Sequence, residues 1–189
     1  LVVCGCSESE ATKAKGYVVA VPSLDDAVFP VLRSTNAPSD NEKIALEFYQ
    51  GDVKVASVND FRETISSPVS IPVRETRVVA KSATEKDAAW NSPAYYGETY
   101  IEPRENQTVV AEVICSISNV LVTAEFSSDI TQNFSQWELK VANGACSPLT
   151  FSKSAGNLAD TAYCEVTGTH HRKLSVTNNS GQQYKDIEG

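Results

Sequence analysis

The chain has 189 residues, with 16 Lys and Arg against 24 Asp and Glu, for a formal charge of −8. Hydrophobic residues make up 41% and charged residues 21%, a balance that excludes a disordered chain. The acidic excess argues against nucleic-acid binding, which needs clustered Lys and Arg, and no apolar run reaches the ~20 residues of a membrane-spanning helix.

The chain contains no Met, so Leu1 is expected to be the cut end of something longer. Leu1 to Ser7 reads as the end of a secretory signal's apolar segment, and Val3-Cys4-Gly5-Cys6 looks like a bacterial lipobox. Lipid transfer needs an accessible thiol, and signal cleavage needs small neighbours beside it. Cys6 is therefore the predicted lipidation site and mature N-terminus. Residues 1–6 become a signal remnant with the lipobox, and the polar stretch 7–15 becomes a tether. The alternative is a short buried strand with a chance Cys pair. Setting Cys4 and Cys6 aside leaves Cys115, Cys146 and Cys164, so at most one disulfide forms, with three pairings open. Cys115 sits in an apolar run and reads as a small core residue. Cys146 and Cys164 are candidates for closing a short loop, worth about 3 kcal/mol where geometry permits. No Cys-x-x-Cys spacing occurs in the body of the chain, so no zinc site is predicted.

Further along, the elements read as strands. Gly16 to Val21 is a β-rich run closed by Pro22, and Val28 to Leu32 is a second candidate. Lys43 to Tyr49 and Val53 to Val58 form a hairpin about Gln50-Gly51-Asp52, with Gly where positive φ is needed. A helical turn is predicted over Asn59 to Ile65, capped by Asn59 or Asp60. Arg77 to Ala83 is another strand. The longest β signal runs from Thr108 to Phe126, where Val109, Ala111, Val113, Cys115 and Ile117 share one face. After Ser118-Asn119 the apolar phase moves to Val120, Val122, Ala124 and Phe126, which implies a bulge or a strand passing from one sheet to another. Strands follow at Trp137 to Val141, Leu149 to Phe151, Tyr163 to Val166 and Leu174 to Val176, with turns at Asn143-Gly144 and Ser180-Gly181.

Short strands at roughly ten-residue spacing with turns between them predict an all-β chain of antiparallel sandwiches. The phase shift sets the expected boundary, giving an N-terminal β-sandwich over 16–118 and a second over 119–189. The second is short for a closed sandwich, and Gln183 to Gly189 carries no terminating element, so it is expected to be incomplete.

Ala88 to Gly97 contains Trp90-Asn91-Ser92-Pro93-Ala94-Tyr95-Tyr96-Gly97, which resembles a Trp-x-x-Pro-x-Tyr-Tyr-Gly signature. Val113 to Val122 is similar to a Val-x-Cys-x-x-x-Asn-Val-x-Val run, followed by Phe126-Ser127 and Asn133-Phe134-Ser135. Together these resemble a family of surface lipoproteins of Gram-negative gut anaerobes, a domain of unknown function related to the fimbrillin-like proteins of adhesive fimbriae. The resemblance implies two transthyretin-like Greek-key β-sandwich domains and a lipid-anchored precursor at the outer membrane. It implies a fimbrial or adhesin-like structural role, polymerising with like or other fimbrial subunits. In fimbrial members a protease removes the first strand after Arg or Lys, and a neighbour's strand fills the groove. Here that strand is Tyr17 to Val21 or Val28 to Leu32, and the scissile residue is Arg33. Read without the family, Arg33 is an exposed loop arginine. On this reading any C-terminal donor strand is expected to follow Gly189.

Catalytic patterns are missing from the sequence. There is no Gly-x-Ser-x-Gly elbow, no Gly-rich phosphate loop and no carboxylate pair fixed at glycosidase separation. His170 and His171, between Thr169 and Arg172-Lys173, read as a solvated turn rather than metal ligands. The prediction is a non-enzymatic protein with no cofactor and no metal. Trp90, Tyr95, Tyr96 and Tyr100 are the candidate ligand contacts, for a glycan or a host partner, because aromatic faces stack on sugar C–H surfaces. The competing reading has them covering the end of the sandwich. Asp160-Thr161-Ala162 resembles an O-glycosylation acceptor of these bacteria, with Thr161 as the acceptor and a plain polar turn as the alternative.

Overall fold

The computed structural model describes residues 14–25, 35, 36, 38, 43–82, 89–143, 148–164 and 170–188. In chain order the elements are β1 (Lys15–Asp25), β2 (Thr35–Asn36), β3 (Ile44–Gln50), β4 (Val53–Val58), α1 (Arg62–Ser66), β5 (Val69–Pro72) and β6 (Thr76–Ser82). There follow β7 (Ala89–Trp90), β8 (Tyr95–Ile101), β9 (Thr108–Ile117), β10 (Val120–Val122) and α2 (Ser128–Asn133). The last are β11 (Phe134–Asn143), β12 (Leu149–Ser152), β13 (Ala162–Cys164), β14 (His170–Asn178) and β15 (Gln183–Glu188). The fold is all-β and sandwich-like, and the two helices among the described residues are one turn or little more.

The chain divides into two compact units, one of Leu1–Ala83 and Tyr96–Ser116, the other of Thr84–Tyr95 and Ile117–Gly189. The phase shift after Ser118-Asn119 predicts a single unit over 16–118. The segment carrying Trp90 instead joins the second unit, because Ala89 and Trp90 pair with Tyr163 and Ala162 of β13.

In the first unit the strand order is β2-β1-β9-β8-β6-β3-β4, with β5 also paired to β1. Strict alternation aims Val18, Ala20 and Leu24 of β1, Ile44, Leu46 and Phe48 of β3, and Ala111, Val113 and Cys115 of β9 into one buried core. Burial of the Cys115 thiol pushes its pKa up to about 11. The β3–β4 hairpin turns at Gly51 with φ +59°, as the Gln50-Gly51-Asp52 pattern requires.

Two features of this unit depart from the sequence reading. Pro22 does not close β1, which runs on to Asp25. The Ala20 N–H points to the side that carries β5 and β2, and two residues on Pro22 faces the same way. β5 reaches only Val18 and β2 only Leu24, so Pro22 lies where no partner strand calls for an N–H. The second departure is that β1 runs parallel to β9, from Tyr17 opposite Thr108 to Asp25 opposite Ser116, while β1–β2, β1–β5, β3–β4, β3–β6 and β6–β8 are antiparallel. Parallel neighbours need a long connection, and here almost the whole unit lies between them.

Helix α1 closes the gap beside β1. Phe61 already has helical dihedrals, and Asp60 Oδ1 accepts the Arg62 N–H at 3.1 Å while Glu63 Oε1 accepts the Asp60 N–H at 3.2 Å. This is a reciprocal capping box at the predicted cap. It presents Thr64, fully buried, whose Oγ1 accepts the Ala20 N–H at 3.1 Å and donates to the Phe61 carbonyl at 2.8 Å. The Phe61 N–H in turn donates to the Ile44 carbonyl, tying the helix to β3.

The second unit has a three-stranded sheet, β10-β13-β7, and a four-stranded sheet, β12-β11-β14-β15. Trp137, Val141, Phe151, Ala162 and Cys164 form its core, with Trp90, Val122, Phe126 and Leu149 packed against them. The phase shift after Ser118-Asn119 is thus a change of sheet, with β9 ending at Ile117 and β10 pairing with β13. His170 and His171 lie in β14 opposite Asn143 and Ala142, not in a turn, because the β11–β14 ladder extends that far. The final segment is an ordered strand, β15, paired to β14.

Candidate functional site

Alternation that buries one face of β3, β6 and β8 turns the other face outward. Three cross-strand rows result. Tyr100, Arg77, Tyr49 and Lys54 form the first, on β8, β6, β3 and β4. Glu98, Val79 and Glu47 form the second, and Tyr96, Lys81 and Ala45 the third. Arg77 stands with its guanidinium 4.9 Å from the Tyr49 ring centroid and 3.0 Å from Glu98 Oε2. The Tyr96 hydroxyl donates to the same oxygen at 2.9 Å. Glu47 collects the Tyr49 hydroxyl at 2.8 Å, Lys54 at 3.1 Å and Lys81 at 3.3 Å. Val79, although on the outward face, is buried among these side chains.

The electrostatics follow from those contacts. Burial alone would raise the Glu47 carboxyl, but hydrogen bonds from Tyr49, Lys54 and Lys81 outweigh it and hold the group below its ordinary value. Glu98 is lowered by the Tyr96 hydroxyl and by Arg77. Arg77 is raised by Glu98, and Lys54 by Glu47. Tyr100, 61% exposed, has no hydrogen-bond partner among the described residues. It borders a shallow hollow with Tyr49, Gly51, Asp52, Glu75 and Arg77.

The four aromatic candidates part company. Trp90 is half-buried edge-on against Phe151, with ring centroids 4.8 Å apart, and Tyr95 is buried. Tyr96 and Tyr100 face outward from β8. The signature around Trp90 is held by asparagines. Asn91, in the left-handed region at φ +50°, donates its backbone N–H to the Thr161 carbonyl, donates its side-chain Nδ2 to Asp160 Oδ1 and accepts the Thr161 N–H on Oδ1. Asn119 Oδ1 accepts the Ala94 N–H at 3.1 Å. Thr161 is therefore half-buried in a bonded corner beside β13. Gly97, the last signature residue, lies where an added Cβ would come 2.2 Å from the Ile114 carbonyl oxygen, so the backbone of neighbouring β9 leaves no room for a side chain there.

Cys6, Arg33 and Cys146 lie outside the described residues, while Cys164 is fully buried in β13. Sequence reasoning missed Glu47, Tyr49, Arg77 and Glu98. The signal was present as the i, i+2 spacing of polar and aromatic residues in Glu47-Phe48-Tyr49, Arg77-Val78-Val79-Ala80-Lys81 and Tyr96-Gly97-Glu98-Thr99-Tyr100.

A family model described as a domain of unknown function, DUF4493, matches residues 15–188. The chain belongs to the DUF4493 family. No curated protein matches the DUF4493 chain in sequence. Among solved structures it is similar to a candidate polysaccharide-binding protein (DUF1812) from Bacteroides thetaiotaomicron, at 9% identity and a TM-score of 0.49, over 89% of this chain and 78% of that one. A candidate adhesin from Bacteroides ovatus aligns at 8% identity and a TM-score of 0.39, over 89% and 74%. Another, from Bacteroides ovatus ATCC 8483, aligns at 10% identity and a TM-score of 0.36, over 100% and 88%.

Proposed function

We propose that the chain is a non-enzymatic, adhesin-like component of the cell surface, held at the outer membrane by a lipid on Cys6 and making contact through the outward face of β3, β6 and β8. The carrying observation is that face: tyrosines and charged groups fixed by three paired strands, with Arg77 between Tyr49 and Tyr100. Side chains set on a sheet lose little freedom on binding, so contact there is inexpensive in entropy. Support for the anchor is the Val3-Cys4-Gly5-Cys6 motif ahead of a polar tether. The test has two arms. Cys6→Ser should abolish incorporation of a labelled fatty acid and release the protein from membranes. Tyr100→Ala with Arg77→Ala should abolish adhesion of epithelial cells to the immobilised chain while leaving its far-UV spectrum unchanged. Unaltered membrane retention refutes the anchor, and unaltered adhesion refutes the contact face.

A second reading, fimbrial assembly by strand exchange, is favoured by the position of β1. It lies inside its sheet with Val18, Ala20 and Leu24 buried, so a strand from another subunit has a ready groove to occupy once β1 leaves. A trypsin-like protease should then nick the precursor after Arg33 and yield oligomers, and Arg33→Ala should block both. A nicked chain that stays monomeric refutes this reading.

A further inference from the structure

The outward face carries a particular balance of charge. Its three cations are already committed, Lys54 and Lys81 to Glu47 and Arg77 to Glu98. Two carboxylates in the same hollow, Asp52 and Glu75, have no ion-pair partner among the described residues. Among the residues that line the hollow, an incoming anion therefore finds no uncommitted positive charge and two negative ones. An uncharged ligand rich in hydroxyl donors finds carboxylate acceptors along one edge. Neighbouring strands lie about 4.8 Å apart, so Tyr49 and Tyr100 stand roughly 10 Å from each other on either side of Arg77. That span suits linked pyranose rings, whose C–H faces cover phenol rings while their hydroxyls reach Arg77, Asp52 and Glu75.

Resting on the contact role given to this face above, we infer that it is a binding site for an uncharged oligosaccharide lying across the strands from Tyr100 over Arg77 to Tyr49, and that it rejects uronic-acid chains. The axis of the site runs perpendicular to the strands, and it does not use Trp90, which packs against Phe151 in the other unit.

The experiment titrates the full chain calorimetrically with neutral hexasaccharides of glucose, mannose, galactose and xylose, and with hexagalacturonate. At least one neutral probe should bind, and Tyr100→Ala and Arg77→Ala should each weaken it by about tenfold or more. Trp90→Ala should leave the affinity unchanged. Because no net charge is exchanged, raising salt from about 50 to about 500 mM should alter the affinity less than about twofold. Binding of hexagalacturonate in preference to every neutral probe, no neutral binding at all, or a loss confined to Trp90→Ala would each overturn the inference. The epithelial adhesion assay separates the two levels. If Tyr100→Ala abolishes adhesion but no neutral saccharide competes, the face contacts a protein, the carbohydrate inference falls and the adhesin-like reading survives. If Tyr100→Ala leaves adhesion intact, the adhesin-like reading falls whatever the sugars do.

Discussion

Gly97→Ala tests the packing of the first unit most directly. The added methyl would sit 2.2 Å from the Ile114 carbonyl oxygen, 2.8 Å from its carbon and 2.9 Å from the Cys115 Cα, all backbone atoms of β9. No rotamer relieves a backbone clash, so β8 and β9 must separate by most of an ångström. An ordinary ladder bond of about 2.9 Å would then be stretched past useful length. Overpacking costs about 1–3 kcal/mol, and weakened ladder bonds about 1 kcal/mol each, so the loss should come to about 3 kcal/mol or more. For a unit of this size the melting temperature should fall by roughly 12 °C or more. Far-UV circular dichroism on heating measures it. Gly51→Asn is the control, since φ is +59° there, nothing lies within 4 Å, and Asn tolerates that conformation. A Gly97→Ala protein that melts with the wild type would refute the close approach of the two strands.

Thr64→Val removes a fully buried hydroxyl that serves the Ala20 N–H and should cost about 1–3 kcal/mol in urea unfolding, while Thr64→Ser should recover most of it. Glu47 is held below its ordinary value in the folded chain, so its contribution to stability is complete above the unfolded pKa of about 4.3 and is lost as pH falls through the lower folded value. An acid titration of stability should therefore show a steeper decline below that pH in the wild type than in Glu47→Gln. Asn91→Ala gives up two side-chain hydrogen bonds and keeps a left-handed backbone, for a loss of about 2–3 kcal/mol. Asn91→Gly should lose less, with tryptophan fluorescence reporting both because Trp90 and Trp137 lie in that unit.

What was legible in the sequence was whatever rests on period-2 patterning. Ala111, Val113 and Cys115 alternate cleanly into the core, and the Gly51 hairpin follows from local turn chemistry. Partnership between distant strands was not legible, because neither β1 nor β9 carries a local mark of a parallel neighbour. Pro22 misled for the same reason: its effect depends on which strand lies beside it. The aromatic signature divided because Trp90 and Tyr95 obey burial, while Tyr96 and Tyr100 obey alternation on β8. Arg77 and Glu47 carry no local mark of their role, because their company on the face is set by cross-strand register.

The parallel pairing of β1 with β9 also orders events during synthesis. Tyr17 meets Thr108, so the opening strand leaves the ribosome or the export channel long before its main partner exists. Among the described residues, a nascent chain that has not reached Thr108 offers β1 four ladder positions on β5 and two on β2, too little to hold Val18, Ala20 and Leu24 out of water. Completion of this unit is therefore a late, non-local event, of the kind that is slow because chain entropy is spent before contacts repay it. Until that moment the first segment is the part of the molecule most open to capture by a chaperone or by another chain.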